Sequence, residues 1–374
     1  MIKPLTIVLA AGGTGGHMFS AISVSDALKA RGHTVIAATD GRGQRFGAGI
    51  ETENINAGGF GGGVIGKIKG LCKIGLGAGQ AMMMLRRRKA DVVVGFGGYP
   101  SLPTMLAAVL LRKSTIIHDQ NAVLGRANRL LAGRVNRIAT SFPDVKGAPA
   151  GTAILTGNPV RSDIVAIGEE TYPSPDDSDA INLLIFGGSQ GARIFSDVIP
   201  ASIATLPDSL RERIRIVQQA RPEDMDRVHA AYAEVGQQAE IASFFDDMPD
   251  RFRTAHLVIV RSGASTIAEL AAAGRPAILV PYAAALDDHQ TANAAALVAA
   301  GGAWLLSEAN MTAKTMAALI TKTLSVPSTL QTAAVAALSM ARADAAEALA
   351  DVIEAAALQS SRNAATQTLG SIAA

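Results

Sequence analysis

Two glycine-rich turns of the same design stand out in the sequence, each directly after a short apolar stretch. The first is Gly12–His17 (GGTGGH) and the second is Gly187–Gly191 (GGSQG). Glycine has no Cβ, so the backbone can approach a ligand closely, and a helix that starts there offers N–H groups and a favourable dipole to an anion. Thr14 and Ser189 place a hydroxyl at the same point of both turns. The pair predicts two phosphate-binding loops that serve one diphosphate ligand.

The first turn also partly fits a dinucleotide-binding fingerprint. The spacing G-x-G-x-x-G, counted from Gly13, fits at Gly15 but fails at Met18. Asp40 ends the second predicted strand, where a carboxylate would meet the ribose of NAD. An NAD-dependent oxidoreductase therefore stays open as an alternative.

His17 is the residue of the first turn that could do acid–base chemistry. Its counterpart in the second turn is Ala192, although the two turns should have similar packing requirements. A helix N-terminus lowers the pKa of a histidine and favours the neutral form, which accepts a proton. The alternative is a capping or hydrogen-bonded histidine with no part in catalysis.

Further polar residues follow predicted strands, where a parallel sheet opens its ligand crevice. Gly95–Ser101 (GFGGYPS) is a third glycine turn, and its glycines could equally serve a tight bend. The run His118–Asn121 (HDQN) ends the next strand. Because core packing does not require four polar residues there, this run favours a functional site.

The second half carries two polar motifs. Arg261–Glu269 (RSGASTIAE) opens a helix, and the carboxylate of Glu269 could bind two ribose hydroxyls. The same spacing from Thr266 to Glu269 matches a capping box, in which the carboxylate would bind the Thr266 N–H instead. Asp287–Asn293 (DDHQTAN) offers amides suited to sugar hydroxyls, although its aspartates could cap a helix. One histidine beside them makes a poor metal site.

Residues 54–90 contain seven Lys or Arg and no acid. Between 64 and 89 these basic residues alternate with apolar ones, and the run ends in Arg86–Lys89 (RRRK). A surface that is both basic and apolar suits anionic lipid headgroups. A solvated helix face is the alternative. Nucleic acid is less favoured, because the segment has one aromatic residue, Phe60, and no known nucleic-acid motif.

Alternating strands and helices must position these motifs, and this rhythm predicts parallel α/β sheets with right-handed crossovers. Helices are expected at Ala21–Ala30 and Ser101–Leu111, and one or two more within Thr329–Ala357. Strands are expected at Leu5–Ala10, Thr34–Ala38, Val92–Gly95, Ser114–His118, Arg137–Thr140, Asn182–Phe186, Ile214–Gln218, Glu240–Ala242, Leu257–Val260, Ala277–Val280 and Ala303–Leu305.

Composition supports two domains in a chain of 374 residues. Hydrophobic residues make up 49% and aromatic residues only 4%, so Ala, Val, Leu and Ile must fill the cores. The single cysteine, Cys72, excludes an intrachain disulfide and fits a reducing compartment. No run of 18 apolar residues predicts a membrane span, and no secretion signal is evident at the N-terminus. Turn residues at 156–161 and a polar stretch at 172–179 suggest the boundary.

Together and in order, these motifs resemble the MurG-type family, bacterial transferases that add N-acetylglucosamine to undecaprenyl-diphosphate-linked muramyl-pentapeptide. Relatives that glycosylate diacylglycerol share only some of the glycine loops. This sequence departs from the family at Asp119, where glutamate is expected, and at His289, where a first glutamine is expected. The matching segments are Gly12–His17, Gly95–Pro103, His118–Asn121, Gly157–Arg161, Gly187–Arg193, Phe245–Met248, Arg261–Glu269 and Asp288–Gln290.

The resemblance implies an α/β fold with two Rossmann-like domains facing a cleft, the B-type glycosyltransferase fold. Residues 1–161 would form the N-terminal, membrane-facing domain that meets the acceptor. Residues 162–341 would form the domain that binds the UDP-sugar. A helix at about 342–358 would pack back on the first domain. We expect the small, polar residues 359–374 to be a flexible tail.

The resemblance also implies binding roles for the donor, UDP-N-acetylglucosamine, which would lie mainly on the second domain. Ser189 and Arg161 would contact its diphosphate, and a backbone group at Phe245 would meet the uracil. Glu269 would bind the ribose and Gln290 the sugar. The remaining substrate-binding candidates are Ala264, Ser265 and Thr266 around the nucleoside, and Thr14, Gly15, Gly16, Tyr99 and Asn121 from the first domain.

The implied reaction is an inverting transfer in which the acceptor hydroxyl displaces UDP in one step and forms a β linkage. His17 is the candidate catalytic base and Asp119 its reserve. No metal or other cofactor is required, although a divalent cation could assist. Alternatives are an isomerase like the UDP-N-acetylglucosamine 2-epimerases and a related lipid glycosyltransferase.

The implied setting is peptidoglycan synthesis, and with it cell shape and division. The enzyme would be peripheral, at the cytoplasmic face of the bacterial cell membrane, where residues 64–89 would dock on anionic lipid. Proteins of cell-wall synthesis or division are candidate partners.

Overall fold

The computed structural model of the chain describes residues 3–12, 15–40, 49–58, 63–176 and 180–372, without the side chains of 63–65, 67–68, 327 and 360–372. Its contacts divide the chain into two compact units. Unit 1 comprises Met1–Arg161 with Ala343–Ala374, and unit 2 comprises Ser162–Arg342.

Each unit is built on one sheet whose described strands all pair in parallel. Unit 1 has the order β3-β2-β1-β4-β5-β6-β7 and unit 2 the order β10-β9-β8-β11-β12-β13. The strands are β1 (Thr6–Ala10), β2 (Thr34–Thr39), β3 (Glu51–Asn54), β4 (Val92–Gly95), β5 (Ser114–Asp119), β6 (Arg137–Thr140), β7 (Ala153–Leu155), β8 (Ile181–Phe186), β9 (Ile214–Gln219), β10 (Ala239–Ala242), β11 (Leu257–Val260), β12 (Ala277–Leu279) and β13 (Ala303–Leu305).

Helices connect the strands, as parallel pairing requires. They are α1 (Gly15–Ala30), α2 (Gly63–Arg87), α3 (Gly98–Leu110), α4 (Arg126–Leu131), α5 (Ser162–Val165), α6 (Arg193–Ala204), α7 (Asp208–Arg211), α8 (Met225–Glu234), α9 (Met248–Thr254), α10 (Ala264–Ala273), α11 (His289–Ala299), α12 (Ala313–Leu324), α13 (Pro327–Ser339) and α14 (Ala345–Ile372). Short 3₁₀ turns occur at Ala166–Glu169, Pro222–Asp224, Leu286–Asp288 and Glu308–Asn310.

The central strands are apolar on both faces because helices cover both sides of each sheet. In β1, Ile7 and Leu9 pack in a core with α1 and α14, whereas Val8 and Ala10 pack in a second core with α2 and α3. All four residues are fully buried. This arrangement places the glycine turns at the carboxyl ends of the strands.

Two edge strands of unit 1 were not predicted from the sequence. Strand β3 has the sequence ETEN and is largely exposed, so it shows no apolar alternation. Strand β7 is only three residues long and is also mostly exposed. Edge strands of this kind lack the buried face that makes a strand visible in a sequence.

Helix α14 runs from Ala345 to Ile372, so most of the residues expected to form a tail continue this helix. Alanine-rich sequence favours continued helix. The first turns of α14 are anchored to unit 1, where His33 Nε2 bonds Glu354 Oε1 at 2.8 Å and Arg31 Nη1 donates to Asp351 at 2.7 Å. Arg137 donates a further hydrogen bond to Gln359, the first residue of the expected tail.

Candidate active site

Both sheets reverse their strand order beside their first strand. Strand β1 lies between β2 and β4, and β8 lies between β9 and β11. At such a switch point the loops leave neighbouring strands toward opposite faces and open a crevice at the carboxyl ends, where doubly wound proteins bind ligands. The sequence-predicted residues of each unit collect around its own switch point.

In unit 1 the switch point brings the first and third glycine turns into contact. A Cβ added to Gly12 would lie 2.9 Å from Pro100 Cβ, closer than such atoms pack. Gly98 has φ +71°, and a Cβ on it would lie 3.4 Å from the Gly12 oxygen. Glycine is therefore required here both for backbone conformation and for close approach. Thr14 lies outside the described residues.

His17 is the third residue of α1, and its ring lies against Gly97 and Gly98 of the third glycine turn. Added Cβ atoms on Gly97 and Gly98 would lie 3.6 Å from its Cε1 and 3.7 Å from its Cδ2. The Nδ1 atom is buried and makes no hydrogen bond within the described part of the chain. Burial lowers the pKa of His17, and the opposing effects of Asp119 and Gln120 do not reverse this. The imidazole is therefore neutral and able to accept a proton at neutral pH.

Asp119, the reserve base, is buried at the end of β5 with both carboxylate oxygens occupied. Oδ1 accepts a hydrogen bond from the Asn121 N–H at 3.0 Å. Oδ2 accepts from the Gly125 N–H at 2.7 Å and from Asn128 Nδ2 at 2.9 Å. This carboxylate folds the following loop back onto the strand end, which is a structural task.

The neighbours of Asp119 are also bonded inside unit 1, so the run His118–Asn121 is less open than expected. His118 is fully buried, bonds the Gly157 oxygen through Nε2 at 2.9 Å, and has its pKa lowered to about 4 by burial. Gln120 donates to Ser20 Oγ at 2.8 Å and to the Gly16 oxygen at 3.2 Å. Of the four residues only Asn121 is partly exposed. The other three side chains are therefore buried and hydrogen-bonded within unit 1.

The other first-unit candidates lie around the start of α1. Gly15 and Gly16 are its first two residues and are partly buried. The Arg161 guanidinium lies 4.9 Å from the centre of the Phe19 ring, which projects from the same helix. Tyr99 is the second residue of α3 and is partly exposed. A cation beside a helix N-terminus makes this corner of unit 1 suited to an anion.

In unit 2 the switch point brings together the second glycine turn and the start of α10. A Cβ on Gly187 would lie 2.3 Å from the Ala192 nitrogen, so only glycine fits. The Gly187 N–H donates to Gln219 Oε1 at 2.9 Å. Ser189 is exposed at the apex of the turn, ahead of α6. The turn therefore presents a hydroxyl on a rigid backbone frame.

Helix α10 begins at Ala264, with Gly263 as its N-cap. Thr266 is consequently the third residue of the helix and not its cap, so the capping-box explanation of Glu269 is wrong. Ser265, Thr266 and Glu269 are all partly exposed, and Ala264 is buried. The first N–H groups of a helix have no partner within it, which leaves this end of α10 open to ligand oxygens.

Gln290 lies in the first turn of α11, after two residues with left-handed backbone. Asp287 and Asp288 have φ values of 56° and 49°, a conformation that costs non-glycine residues energy and clusters at functional loops. Gln290 Oε1 accepts a hydrogen bond from the Tyr282 N–H at 2.9 Å. Asp288 accepts from the Thr291 hydroxyl at 2.7 Å. Within the described ranges there is no cluster of three or more His, Cys, Asp or Glu side chains that could hold a metal ion.

Phe245 and Arg261 anchor the loops of unit 2. The Phe245 side chain is buried under the Arg251 guanidinium, 5.0 Å from its ring centre, so its backbone is the part left for a ligand. Arg261 is buried and donates to the carbonyl oxygens of Val280 and Pro281. The sequence motif contains Arg261 but predicts no role for it, because its partners are distant in the chain.

Helix α2 carries the segment expected to meet a membrane. Leu71, Leu76 and Met83 are exposed by 62%, 59% and 72%, a large apolar exposure for one helix. Lys69, Lys73 and Arg86 are exposed on the same helix. The side chains of Val64, Ile65, Lys67 and Ile68 lie outside the description. No helix in the described part of the chain has the length and apolarity to span a bilayer.

Two basic residues of this segment are already paired. Arg87 donates to Glu53 Oε1 at 2.7 Å, and Arg88 donates to the same oxygen from Nε at 2.9 Å. Arg88 also pairs with Glu51. The carboxylates of β3 thus offset these charges, which corrects the expectation that the whole basic run is available to lipid.

Comparisons with known proteins agree over both units. The model of the glycosyltransferase family 28 N-terminal domain matches residues 7–140, and that of the family's C-terminal domain matches residues 182–349. A solved structure of MurG from Acinetobacter baumannii has a TM-score of 0.76 and 30% identity, covering 94% of this chain and 99% of that one.

Relatives of known sequence extend the match. Two proteins named UDP-N-acetylglucosamine–N-acetylmuramyl-(pentapeptide) pyrophosphoryl-undecaprenol N-acetylglucosamine transferase are similar over nearly their full length. The one from Rhodospirillum centenum is 48% identical and covers 93% of each chain. The one from Paramagnetospirillum magneticum is 51% identical and covers 94% of this chain and 96% of its own. A UDP-N-acetylglucosamine 2-epimerase from Neisseria meningitidis has a TM-score of 0.65 at 13% identity, which shows the fold alone.

Proposed function

This chain belongs to glycosyltransferase family 28, and from that premise we propose that it is the transferase its relatives are named for. The reaction would move N-acetylglucosamine from UDP-N-acetylglucosamine to the undecaprenyl-diphosphate-linked muramyl-pentapeptide. The observation that carries the proposal is the gathering of the Ser189 turn and the open end of α10 at one switch point. A phosphate-binding turn beside a partly exposed carboxylate, Glu269, suits a nucleoside diphosphate.

The donor would bind unit 2 through groups of complementary chemistry. The Ser189 turn meets the diphosphate, and the Phe245 backbone meets the uracil. Glu269 binds the ribose, with Ala264, Ser265 and Thr266 around the nucleoside, and Gln290 binds the sugar. The absence of a capping box supports the ribose role, because the Glu269 carboxylate is not needed to start α10.

His17 would act as the base that removes the proton from the acceptor hydroxyl. Two observations support this role. The imidazole is neutral and partly exposed beside Gly97 and Gly98, and its Nδ1 atom is buried and makes no hydrogen bond in the described part of the chain. As the hydroxyl attacks the anomeric carbon, the bond to the UDP oxygen breaks and UDP leaves with the electron pair. The stereochemistry inverts, and amide dipoles at the helix starts, with Arg161, stabilise the growing negative charge.

Asp119 then becomes a positioning residue. Its carboxylate is buried, and its negative charge raises the pKa of His17 against the effect of burial. Gln120 contributes by bonding the Gly16 oxygen and so fixing the helix start that carries His17. Gly15, Gly16, Tyr99 and Asn121 remain our candidates for the acceptor side of the site.

The acceptor is a lipid, so the enzyme must work at a membrane surface. We place it peripherally on the cytoplasmic face, where nucleotide sugars are made, with the exposed face of α2 on the bilayer. Leu71, Leu76 and Met83 supply apolar contact, while Lys69 and Lys73 meet anionic headgroups.

One assay separates the proposal from its alternatives. The full chain is incubated with sugar-labelled UDP-N-acetylglucosamine, with and without the lipid-linked muramyl-pentapeptide. We expect UDP release and transfer of label to the lipid only when the acceptor is present. Conversion of the nucleotide sugar without lipid would indicate an isomerase, and transfer to diacylglycerol instead would indicate a different lipid glycosyltransferase.

A further inference from the structure

The segment Val280–Ala283, which follows strand β12, is held by side chains from three separate elements. Arg261 Nη1 donates to the Val280 oxygen at 3.2 Å and to the Pro281 oxygen at 3.1 Å. Glu308 Oε2 accepts from the Ala283 N–H at 2.9 Å. Between these contacts, the Tyr282 N–H donates to Gln290 Oε1 at 2.9 Å. Consecutive polar groups of this backbone are therefore tied in one conformation.

Arg261 and Glu308 also bind one another. Arg261 Nη1 lies 2.8 Å from Glu308 Oε2, and the two side chains are only 9% and 23% exposed. The Arg261 guanidinium also lies 5.3 Å from the ring centre of Phe195 and 5.2 Å from that of Tyr282. Charge-assisted bonds in a poorly solvated place are strong and directional, so this pair forms a rigid support.

The support determines how the amide of Gln290 is oriented. Its oxygen accepts from the Tyr282 N–H, which leaves the NH₂ group as the part of the amide available to a ligand. A flipped amide would bring NH₂ against N–H, two donors facing each other. As long as the Tyr282 N–H stays in place, Gln290 therefore offers hydrogen-bond donors.

We propose that Arg261 and Glu308 are positioning residues for the donor sugar. They hold the Tyr282 N–H, which holds Gln290 with its NH₂ group ready for an oxygen of the sugar. Neither residue touches the donor itself. The proposal rests on the proposed function, because it takes Gln290 as the residue that binds the sugar of UDP-N-acetylglucosamine.

The test measures binding by calorimetry, so that it does not depend on transfer activity. Wild type and Glu308→Ala are titrated with UDP-N-acetylglucosamine and separately with UDP. We expect Glu308→Ala to weaken binding of the nucleotide sugar about tenfold, within the range usual for coupled neighbours, and to leave UDP binding unchanged. Glu308→Gln keeps an oxygen for the Ala283 N–H and should restore most of the loss. Glu234→Ala, at an exposed carboxylate that ends α8 in the same unit, is the matched control.

A double-mutant cycle shows whether Glu308 acts through Gln290. In the Gln290→Ala background, Glu308→Ala should weaken sugar-nucleotide binding no further. An equal loss in both backgrounds, an equal loss for UDP, or no loss at all would overturn the proposal. A wild type that fails to bind UDP-N-acetylglucosamine would instead overturn the proposed function. Wild-type binding without transfer would also count against the proposed function and leave the positioning test intact.

Discussion

The side-chain amide of Asn128 donates a hydrogen bond to Oδ2 of Asp119 over 2.9 Å, joining α4 to the end of β5. The Gly125 N–H reaches the same oxygen at 2.7 Å. The carboxylate is thereby fixed within electrostatic reach of His17, whose pKa it raises against the stronger effect of burial. We propose that Asp119 tunes His17 and does not itself exchange a proton with the acceptor.

Asp119→Asn should separate tuning from catalysis. The variant keeps the side chain's shape and an amide oxygen for the Gly125 and Asn128 donors, but it loses the hydrogen bond from the Asn121 N–H and the negative charge that raises the pKa of His17. We expect the acidic limb of the kcat profile to move to lower pH, with the plateau within about tenfold of wild type. The measurement is kcat against pH at saturating donor. A plateau lowered by about 10²-fold or more, with the limb in place, would identify Asp119 as the base.

His17→Ala should lower kcat by about 10²- to 10⁴-fold, the usual contribution of a general base. The KM for UDP-N-acetylglucosamine should change little, because His17 is not among the groups assigned to the donor. Steady-state kinetics of transfer to the lipid acceptor measures both. His229→Ala, an exposed histidine on α8, is the control and should behave as wild type. Turnover close to normal in His17→Ala would reject the base assignment.

The pH dependence of the wild type should reflect the lowered pKa of the His17 imidazole. Burial lowers the pKa of His17, so the neutral, active form persists to a lower pH than it would for an exposed histidine. We therefore expect kcat to stay constant as pH falls through 6.5, the ordinary histidine value, and to drop only below it. A pH series with a thermal-unfolding control at each point checks this. A limb centred above 6.5 would contradict the assignment.

Glu269→Gln distinguishes ribose binding from a structural role. Since Gly263 caps α10, the Glu269 carboxylate is not needed to start the helix, and the melting temperature should hold. Loss of a charged hydrogen-bond acceptor should weaken UDP binding about tenfold. Calorimetry with UDP and a thermal melt give the two values. A lower melting temperature with unchanged UDP affinity would show that Glu269 has a structural role and does not bind the ribose.

Charge removal on α2 should release the protein from anionic vesicles. Replacing Lys69, Lys73 and Arg86 by glutamine removes three exposed charges, each contributing about 1 kcal/mol near a charged bilayer, so binding should fall about 100-fold. Sedimentation with vesicles containing anionic lipid measures it. The matched control is Arg87→Gln with Arg88→Gln, because their partners Glu53 and Glu51 already offset their charges. Equal loss in both variants would mean that net charge alone matters, and no loss in the first would defeat the docking proposal.

Much of the fold could be predicted from the sequence because its signals are local. Apolar runs followed by glycine mark β1, β4 and β8, and helix α10 starts three residues after Arg261, where the motif placed it. The edge strand β3 could not be predicted, since its sequence has no buried face. The length of α14 was underestimated because small polar residues do not reveal a tertiary anchor such as the bond from Arg137 to Gln359.

The sequence by itself determined the family, the two parallel α/β sheets and the positions of the glycine turns, because glycine spacing and strand periodicity are properties of neighbouring residues. Only the tertiary structure decided which polar residues are engaged inside the protein. Gln120 bonds Ser20, and Ser20 in turn bonds Asn158 from 138 positions away. Such partners satisfy buried polar groups across distant parts of the chain, and no local pattern carries that information.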